Sequence, residues 1–155
     1  MHHDLQFKIV DITRSRKREI YLYKCLAPMP FRKYKRRVRY LAEAIPKGFR
    51  KKLVVLNGNI VGQIEYAPAE ISGYPIIGDG VFVMNCIWVL RKAKGHNLGR
   101  ILLNDAIQSI KKDKGKGLAT IGLENHPSPW LKKDQMEKLG FKAVDSIRMR
   151  HKIKR

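Results

Sequence analysis

Residues 81–112 carry the strongest hydrophobic pattern in the chain. The run Val81–Val89 contains a single polar side chain, which predicts a β-strand buried on both faces. After a basic loop, Leu103, Ala106 and Ile110 recur at helical spacing, with polar residues between them. The segment is therefore predicted to run from a buried strand, through a loop, into an amphipathic helix.

Weaker patterns predict the elements that precede this strand. Alternation of apolar residues indicates strands, an apolar stripe indicates a helix, and Asn-Gly between two apolar runs indicates a hairpin, because both turn residues adopt positive φ. The predicted elements are a strand over residues 7–12, a short helix capped by Thr13 or Ser15 and reaching about Leu26, a helix over residues 31–45, a hairpin over residues 53–66 and a loop over residues 68–80.

The loop between the central strand and the following helix is suited to an anion. The first amides of a helix have no intrahelical acceptor and lie at the positive end of the helix dipole. Gly95 and Gly99 allow positive φ and close approach of a ligand, and the first turn carries Arg100 but no acidic residue. Two interpretations remain open from spacing alone, a phosphate-binding loop and a plain turn.

The same loop resembles the acetyl-CoA loop of the GCN5-related N-acetyltransferases (GNATs). The family pattern is Arg/Gln-x-x-Gly-x-Gly/Ala, starting five residues after a valine that ends a strand. Here Val89 is followed five residues later by Lys94, and the loop continues to Gly99. Lys94 replaces Arg or Gln, and Asn97 replaces the first glycine. Because Asn tolerates the left-handed region better than most residues, the loop is expected to keep its shape.

The downstream segments follow the order of the same family. The resemblance covers roughly residues 50–147 and implies an α/β fold (α+β by some schemes), with a mixed, mostly antiparallel central sheet flanked by helices on both faces. The segments that fit are a strand over residues 118–123, a helix over residues 130–139 and the pair Gly140-Phe141, which opens another strand. The expected single GNAT-like domain, residues 1–155, comprises an N-terminal helical part at about 15–48, an acyl-CoA-binding core at about 50–147 and a basic tail at 148–155.

The resemblance implies that an acetyl group passes from acetyl-CoA to an amine by direct attack in a ternary complex. The backbone of Ile87, Trp88 and Val89 is then implied to hold the pantetheine and to polarise the acetyl carbonyl. The residues implied to bind the phosphates are Lys94, Gly95, His96, Asn97, Leu98, Gly99 and Arg100. The acceptor amine is not specified by the resemblance.

The acid and base that many relatives use are absent from the matching positions. Met136 occupies the position of the usual tyrosine, and a thioether donates no proton. Candidate replacements are His126, Cys86 and Glu124. An imidazole exchanges a proton near neutral pH, which suits His126, although a surface histidine is an equal alternative. Cys86 is more readily explained as a small buried residue, and Glu124 as a partner of nearby lysines.

Amino-acid composition indicates the domain count, the class of protein and the expected location. The chain has 155 residues with 44% hydrophobic and 30% charged side chains, which is typical of one globular domain. Its two cysteines, Cys25 and Cys86, lack the spacing of metal ligands, so no metal is expected and a reducing cytoplasm is the predicted location. No apolar stretch approaches the ~20 residues of a membrane-spanning helix, and the triphosphate-loop motif is absent.

The charge is strongly unbalanced, with 33 Lys and Arg against 13 Asp and Glu and a net charge of +20. Such an excess favours an anionic partner, such as RNA, a ribosome or an acidic protein. The expected contact residues are Arg32, Lys35, Arg36 and Arg39. A non-catalytic basic module of the same fold that holds RNA or a ribosomal surface is therefore the alternative function. A homodimer is also considered, through an edge strand over Phe141–Ile147.

Overall fold

The computed structural model describes residues 6–13, 19–23, 35–127 and 131–148. By internal contacts the chain forms two compact units, one ending at Ile121 and one beginning at Gly122. In the described residues, no helix is both long and apolar enough to cross a membrane.

The first unit is built on a five-stranded sheet whose strands lie side by side in chain order. The strands are β1 (Phe7–Asp11), β2 (Arg50–Leu56), β3 (Asn59–Pro68), β4 (Val81–Val89) and β5 (Gly117–Ala119). Strands β1 to β4 pair antiparallel, and β5 pairs parallel to β4. The predicted mixed, mostly antiparallel sheet is confirmed.

The β2–β3 hairpin turns at Asn57 and Gly58. Their φ angles of 49° and 82° are the positive values that a two-residue turn with the twist of the strands needs. Asn tolerates this region and Gly enters it without steric cost, which is why the pair predicted the turn correctly.

One face of the sheet is covered by α1 (Glu19–Tyr23) and α2 (Lys35–Ala44). The buried residues that form this side of the core are Ile12, Leu22, Leu41, Ala44, Phe49, Leu53 and Ala67. The Tyr40 and Phe49 rings meet edge to face with centroids 6.0 Å apart. This arrangement follows from the apolar stripe of α2, of which Leu41 and Ala44 are the most buried members.

Helix α3 (Leu98–Lys112) covers the opposite face of the sheet and packs on β2 to β5. Its buried residues are Leu98, Leu102, Leu103, Ala106 and Ile110. The helix packs closely because Gly62 has no side chain: a Cβ there would lie 2.6 Å from Val54 Cγ1 and 3.4 Å from Leu102 Cδ1. Helices on both faces of the sheet are thus confirmed.

The second unit contains α4 (Lys133–Leu139) and a parallel bridge between Leu123 and Lys132. Gly140 ends the helix with a φ of 108°, and the Phe141 amide donates to the Met136 carbonyl at 3.1 Å, a common helix-ending arrangement. The Gly140-Phe141 pair therefore serves as a helix stop.

Several predicted boundaries were wrong. The strand expected over 118–123 is the three-residue β5, because its ladder with β4 ends at Ala119. The helix expected over 130–139 begins at Lys133, after Leu131 takes a φ of 47°. Residues 141–148 form no strand and are mostly exposed, so the edge strand proposed to support a homodimer is absent.

The central strand itself has the predicted bounds, but it is not buried along its whole length. Val83, Met84 and Cys86 are buried, whereas the last three residues are only half-buried. Strand β5 flanks only the first three residues of β4, so it covers none of the last three. Predictions that involve Ser15, Cys25, Leu26, Arg32, Trp130 and residues 149–155 lie outside the described residues.

Candidate functional site

Strands β4 and β5 separate after a short stretch of pairing. The ladder joins Val81–Val83 to Gly117–Ala119, and the Thr120 hydroxyl then donates to the Met84 carbonyl at 3.0 Å. Beyond that contact, β4 continues to Val89 with β3 as its only ladder partner among the described residues. Backbone groups of Ile87–Val89 that point away from β3 therefore form an open edge, which can hydrogen-bond a ligand lying along it.

A β-bulge lies where this edge begins. Tyr66 pairs with Met84 and Glu65 with Cys86, so Asn85 is the extra residue. The side-chain Nδ2 of Asn85 donates to the Ser72 carbonyl at 2.8 Å, and the backbone carbonyl of Asn85 accepts from the Tyr74 hydroxyl at 3.2 Å. Asn85 Oδ1 is buried without a hydrogen-bond partner among the described residues, which leaves an acceptor for an N–H or O–H group.

The segment that leaves β4 forms a compact loop before α3. Residues Arg91–Ala93 make one 3-10 turn, Gly95 has a φ of 95°, and Asn97 has φ 59° and ψ 25°. The expected left-handed conformation of Asn97 is therefore observed. Gly95 also has the predicted positive φ, whereas Gly99 is the second residue of α3 and is helical. Gly99 therefore contributes the absence of a side chain in the first turn of α3, and not a positive φ.

The N-terminus of α3 is strongly electropositive. It has no acidic residue in its first turn and no side chain that caps it. The Ile101 amide bonds the Asn97 carbonyl at 3.2 Å, so the amides before Ile101 precede the helical ladder. The cationic or titratable side chains exposed around it are Arg91, Lys92, Lys94, His96 and Arg100. Dipole, amides and side chains together make a site for a polyvalent anion such as a chain of phosphates.

Cys86 belongs to the core. It is 2% exposed, and its sulfur accepts a hydrogen bond from Gln63 Nε2 at 3.1 Å. Gln63 is itself fully buried, so this contact satisfies a buried amide. The structural interpretation of Cys86 fits these surroundings better than the catalytic one, since a reactive thiol needs an electropositive and partly exposed setting.

The other two candidate catalytic residues lie in the second unit. Glu124 pairs with Lys133 at 2.6 Å, and this hydrogen bond raises the pKa of the Lys133 ammonium above its usual 10.5. His126 is partly buried, and Met136, which the resemblance places at the position of the usual tyrosine, is the buried residue of α4. The catalytic roles of His126 and Glu124 remain predictions.

A buried ionic cluster on the α2 face was missed from the sequence. Glu65 accepts from Arg37, and its Oε1 lies 3.2 Å from Nζ of the fully buried Lys51. Arg37 also donates to the Leu22 carbonyl at 3.0 Å. Nearby, burial raises the pKa of Tyr40, and the negative charge of Glu65 adds to the shift. The sequence feature that could have revealed this cluster is the presence of Lys51 and Glu65 within otherwise apolar strands. Arg37 therefore does not belong to the exposed basic face of α2.

The described residues contain no cluster of three or more His, Cys, Asp or Glu side chains that could hold a metal ion. The site consequently rests on the β4 edge, the Asn85 bulge and the α3 N-terminus, all of which lie in the first unit.

The sequence matches no protein-family model, and no curated protein matches it significantly. Solved structures do resemble it along most of their length. Aminoglycoside N-acetyltransferase AAC(6')-Iy, in complex with CoA, superposes with a TM-score of 0.70 at 13% identity over 99% of both chains. The AAC(6')-IG enzyme of Acinetobacter haemolyticus gives 0.70 at 12% identity over 94% of this chain and 97% of that one.

A GNAT-family protein from Desulfovibrio desulfuricans gives a TM-score of 0.65 at 14% identity, over 90% of this chain and 87% of its own. At these identities the likeness shows the fold alone. The chain has the fold of the GCN5-related N-acetyltransferases.

Proposed function

We propose that the protein is an acetyl-CoA-dependent N-acetyltransferase. The observation that carries the proposal is that two binding elements follow each other along the chain: the open backbone edge of β4 and the electropositive N-terminus of α3. An elongated ligand with an amide-rich arm and a phosphate-rich end matches both. The fold is that of proteins solved with CoA, and one of them was solved with a bisubstrate analogue of CoA and acetylneamine.

In this proposal each element has a separate task. Lys94 to Arg100 hold the phosphates, while the half-buried backbone of Ile87, Trp88 and Val89 holds the pantetheine arm along β4. The thioester supplies an activated acyl carbon. Backbone N–H groups at the bulge stabilise the oxyanion that forms when the amine attacks, because fixed dipoles need no reorganisation.

Tyr74 is the hydroxyl that we propose as proton donor to the leaving thiolate. It contacts the Asn85 carbonyl at 3.2 Å, one residue from the point where β4 and β5 separate. A phenol can donate the proton that Met136 cannot. The amine nitrogen attacks the acyl carbon, and the C–N bond forms as the carbonyl electrons move to oxygen. When this oxyanion collapses, the C–S bond breaks, the thiolate takes the Tyr74 proton, and the protonated nitrogen of the product returns a proton to the phenolate.

For the acceptor, we propose an amine carried on an anionic body. Arg36 and Arg39 are exposed on α2, and this charge would repel a small polycation and attract an acidic carrier. Two neighbouring structures were solved with aminoglycoside-type ligands, sisomicin and an acetylneamine analogue, so an anionic carrier would separate this protein from them. Arg32 and the Lys35 side chain, which complete the predicted surface, lie outside the described residues. We propose the cytoplasm as its location.

Release of free CoA thiol tests the proposal. Purified protein with acetyl-CoA and a panel of amines, including small polyamines, aminoglycosides and lysine-containing acidic peptides, should release thiol in proportion to acetylated product. A non-catalytic basic module, the second candidate that the absence of the usual acid and base keeps open, would release none with any acceptor. Thiol release limited to polycationic amines would refute the anionic-carrier proposal alone.

A further inference from the structure

The outer face of α3 carries a row of cationic and polar side chains. The exposed residues of this helix are Arg100, Asn104, Gln108, Lys111 and Lys112. Their spacing of three to four residues places them along one line of the helix surface. The row from Arg100 to Lys112 covers twelve residue steps of the helix, so it is about 18 Å long at ~1.5 Å per residue.

Both ends of this row lead into further positive charge. Residues 91–116 contain eight Lys or Arg and two acidic residues. Lys114 and Lys116 are exposed in the turn that follows the helix. Of the two acids, Asp105 is neutralised by Lys52, whose Nζ lies 2.5 Å from its carboxylate. The other acid, Asp113, is exposed between Lys112 and Lys114, so the four lysines of residues 111–116 outnumber the one acid beside them.

Helix stability does not account for this distribution. The dipole favours cations at a C-terminus, which explains Lys111 and Lys112. It does not reach Lys114 and Lys116, which lie beyond the last turn. These side chains repel one another in the free protein, and a bound polyanion would relieve that repulsion.

We infer that this surface, the α3 track (Arg100, Asn104, Gln108, Lys111, Lys112, Lys114 and Lys116), binds the phosphodiester backbone of single-stranded RNA. Its helical part corresponds to about five phosphates at ~3.4 Å per phosphate in a stacked strand, and the track carries five Lys or Arg side chains to neutralise them. Asn104 and Gln108 can donate hydrogen bonds to phosphate or sugar oxygens between the two charged ends. An acidic protein fits less well, because the track exposes no large apolar residue to form the centre of a protein interface.

The RNA site is additional to the proposed acyl transfer and shares only Arg100 with it. The test measures binding of a fluorescein-labelled 20-nucleotide RNA by anisotropy at about 50–200 mM salt. The track variant carries Lys111→Glu, Lys112→Glu, Lys114→Glu and Lys116→Glu. The matched control carries Lys8→Glu, Lys47→Glu, Lys138→Glu and Lys142→Glu, which changes the net charge equally at four exposed lysines elsewhere.

The wild-type protein should bind with a log–log salt slope of about −4, since a single strand contributes ~0.7 per neutralised phosphate. The track variant should lose at least ~10-fold in affinity at the lower salt, with a slope smaller by about 2 to 3, whereas the matched control should lose less than ~3-fold. Equal losses would mean that only net charge matters. A larger loss from Arg36→Glu with Arg39→Glu would place the RNA on α2, and tighter binding of polyglutamate would indicate a protein partner. Each of these results would overturn the inference.

A second variant guards against loss of folding, because Lys111 and Lys112 also stabilise the end of α3. Lys114→Gln with Lys116→Gln lies outside the helix and should still reduce the slope by about 1. An unchanged slope would contradict the α3 track. Acetyl-CoA-induced stabilisation should persist in both track variants, so failure of the RNA site and failure of the acyltransferase proposal are separable.

Discussion

The Thr120 hydroxyl donates to the Met84 carbonyl at 3.0 Å, immediately beyond the last ladder pair of β4 and β5. This bond marks the point where the two strands separate. The bulge at Asn85 comes one residue later, and its carbonyl accepts from the Tyr74 hydroxyl. The open edge of β4 therefore begins beside the polar groups to which we assign acyl transfer.

Removal of the Tyr74 hydroxyl should slow turnover without preventing acetyl-CoA binding. In Tyr74→Phe, kcat should fall ~100-fold or more, because the proton donor is gone. Steady-state thiol release with whichever amine proves to be an acceptor measures the change.

Tyr40→Phe is the matched control. The Tyr40 hydroxyl donates to the Ile71 carbonyl at 2.8 Å, so this change removes a structural bond and should leave kcat within ~3-fold. His126→Ala should slow turnover by less than ~100-fold. If His126→Ala cost several thousandfold and Tyr74→Phe cost nothing, His126 would be the acid or base and the role proposed for Tyr74 would be wrong.

Loss of the Glu65 charge should destabilise the first unit strongly. Glu65→Gln removes the carboxylate that pairs with Arg37 and with the fully buried Lys51. This change should reduce the free energy of unfolding by about 3–5 kcal/mol. Urea denaturation measures the change. The exposed pair of Glu124 with Lys133 supplies the comparison, and Glu124→Gln should cost less than ~1 kcal/mol. Similar losses of unfolding free energy in the two variants would show that the buried cluster does not contribute net stability.

Stability should also fall at alkaline pH through the contacts beneath α3. Burial alone lowers the pKa of Lys52, but its hydrogen bond to Asp105 and nearby charges outweigh that effect and raise the pKa above 10.5. Burial raises the pKa of the neighbouring Tyr66 above 10.0. Both folded-state values exceed the unfolded ones, so this stability is fully present below about pH 10 and is lost as the pH rises through the folded values.

The variant Asp105→Asn isolates the Lys52 contribution. Melting temperatures between neutral pH and pH 11 should show a deficit relative to wild type that is largest at neutral pH and shrinks above pH 10.5, as the wild-type ammonium loses its proton. A deficit that stays constant over this range would mean that the ion pair of Lys52 with Asp105 does not contribute.

The first unit was largely predictable because its signals are local. Asn57-Gly58 dictates a turn through its own backbone preferences. Asn97, which the resemblance places where the family loop has a glycine, takes the left-handed conformation. The bounds of β4 follow from its uninterrupted apolar run. The order of these elements was sufficient to identify the fold.

Long-range pairing accounts for what the sequence did not reveal. The apolar residues 118–123 suggest a full strand, but the length of β5 depends on where β4 stops pairing with it. Likewise the partners of Lys51 and Lys52 lie on opposite faces of the sheet, Glu65 below α2 and Asp105 on α3. No local pattern shows which carboxylate a strand lysine will meet.

Titration of the protein with acetyl-CoA, followed by calorimetry and thermal melting, tests the central claim most directly. Wild type should bind, and at a hundredfold excess over Kd the fold should gain about 2.7 kcal/mol of stability. Gly99→Val should abolish both effects, because a branched side chain in the first turn of α3 would limit the approach of a phosphate to the helix N-terminus. Gly117→Val, whose Cβ would have no neighbour within 4 Å, should bind as wild type does. Absence of wild-type binding, or unchanged binding by Gly99→Val, would contradict an acetyl-CoA site at the loop from Lys94 to Arg100.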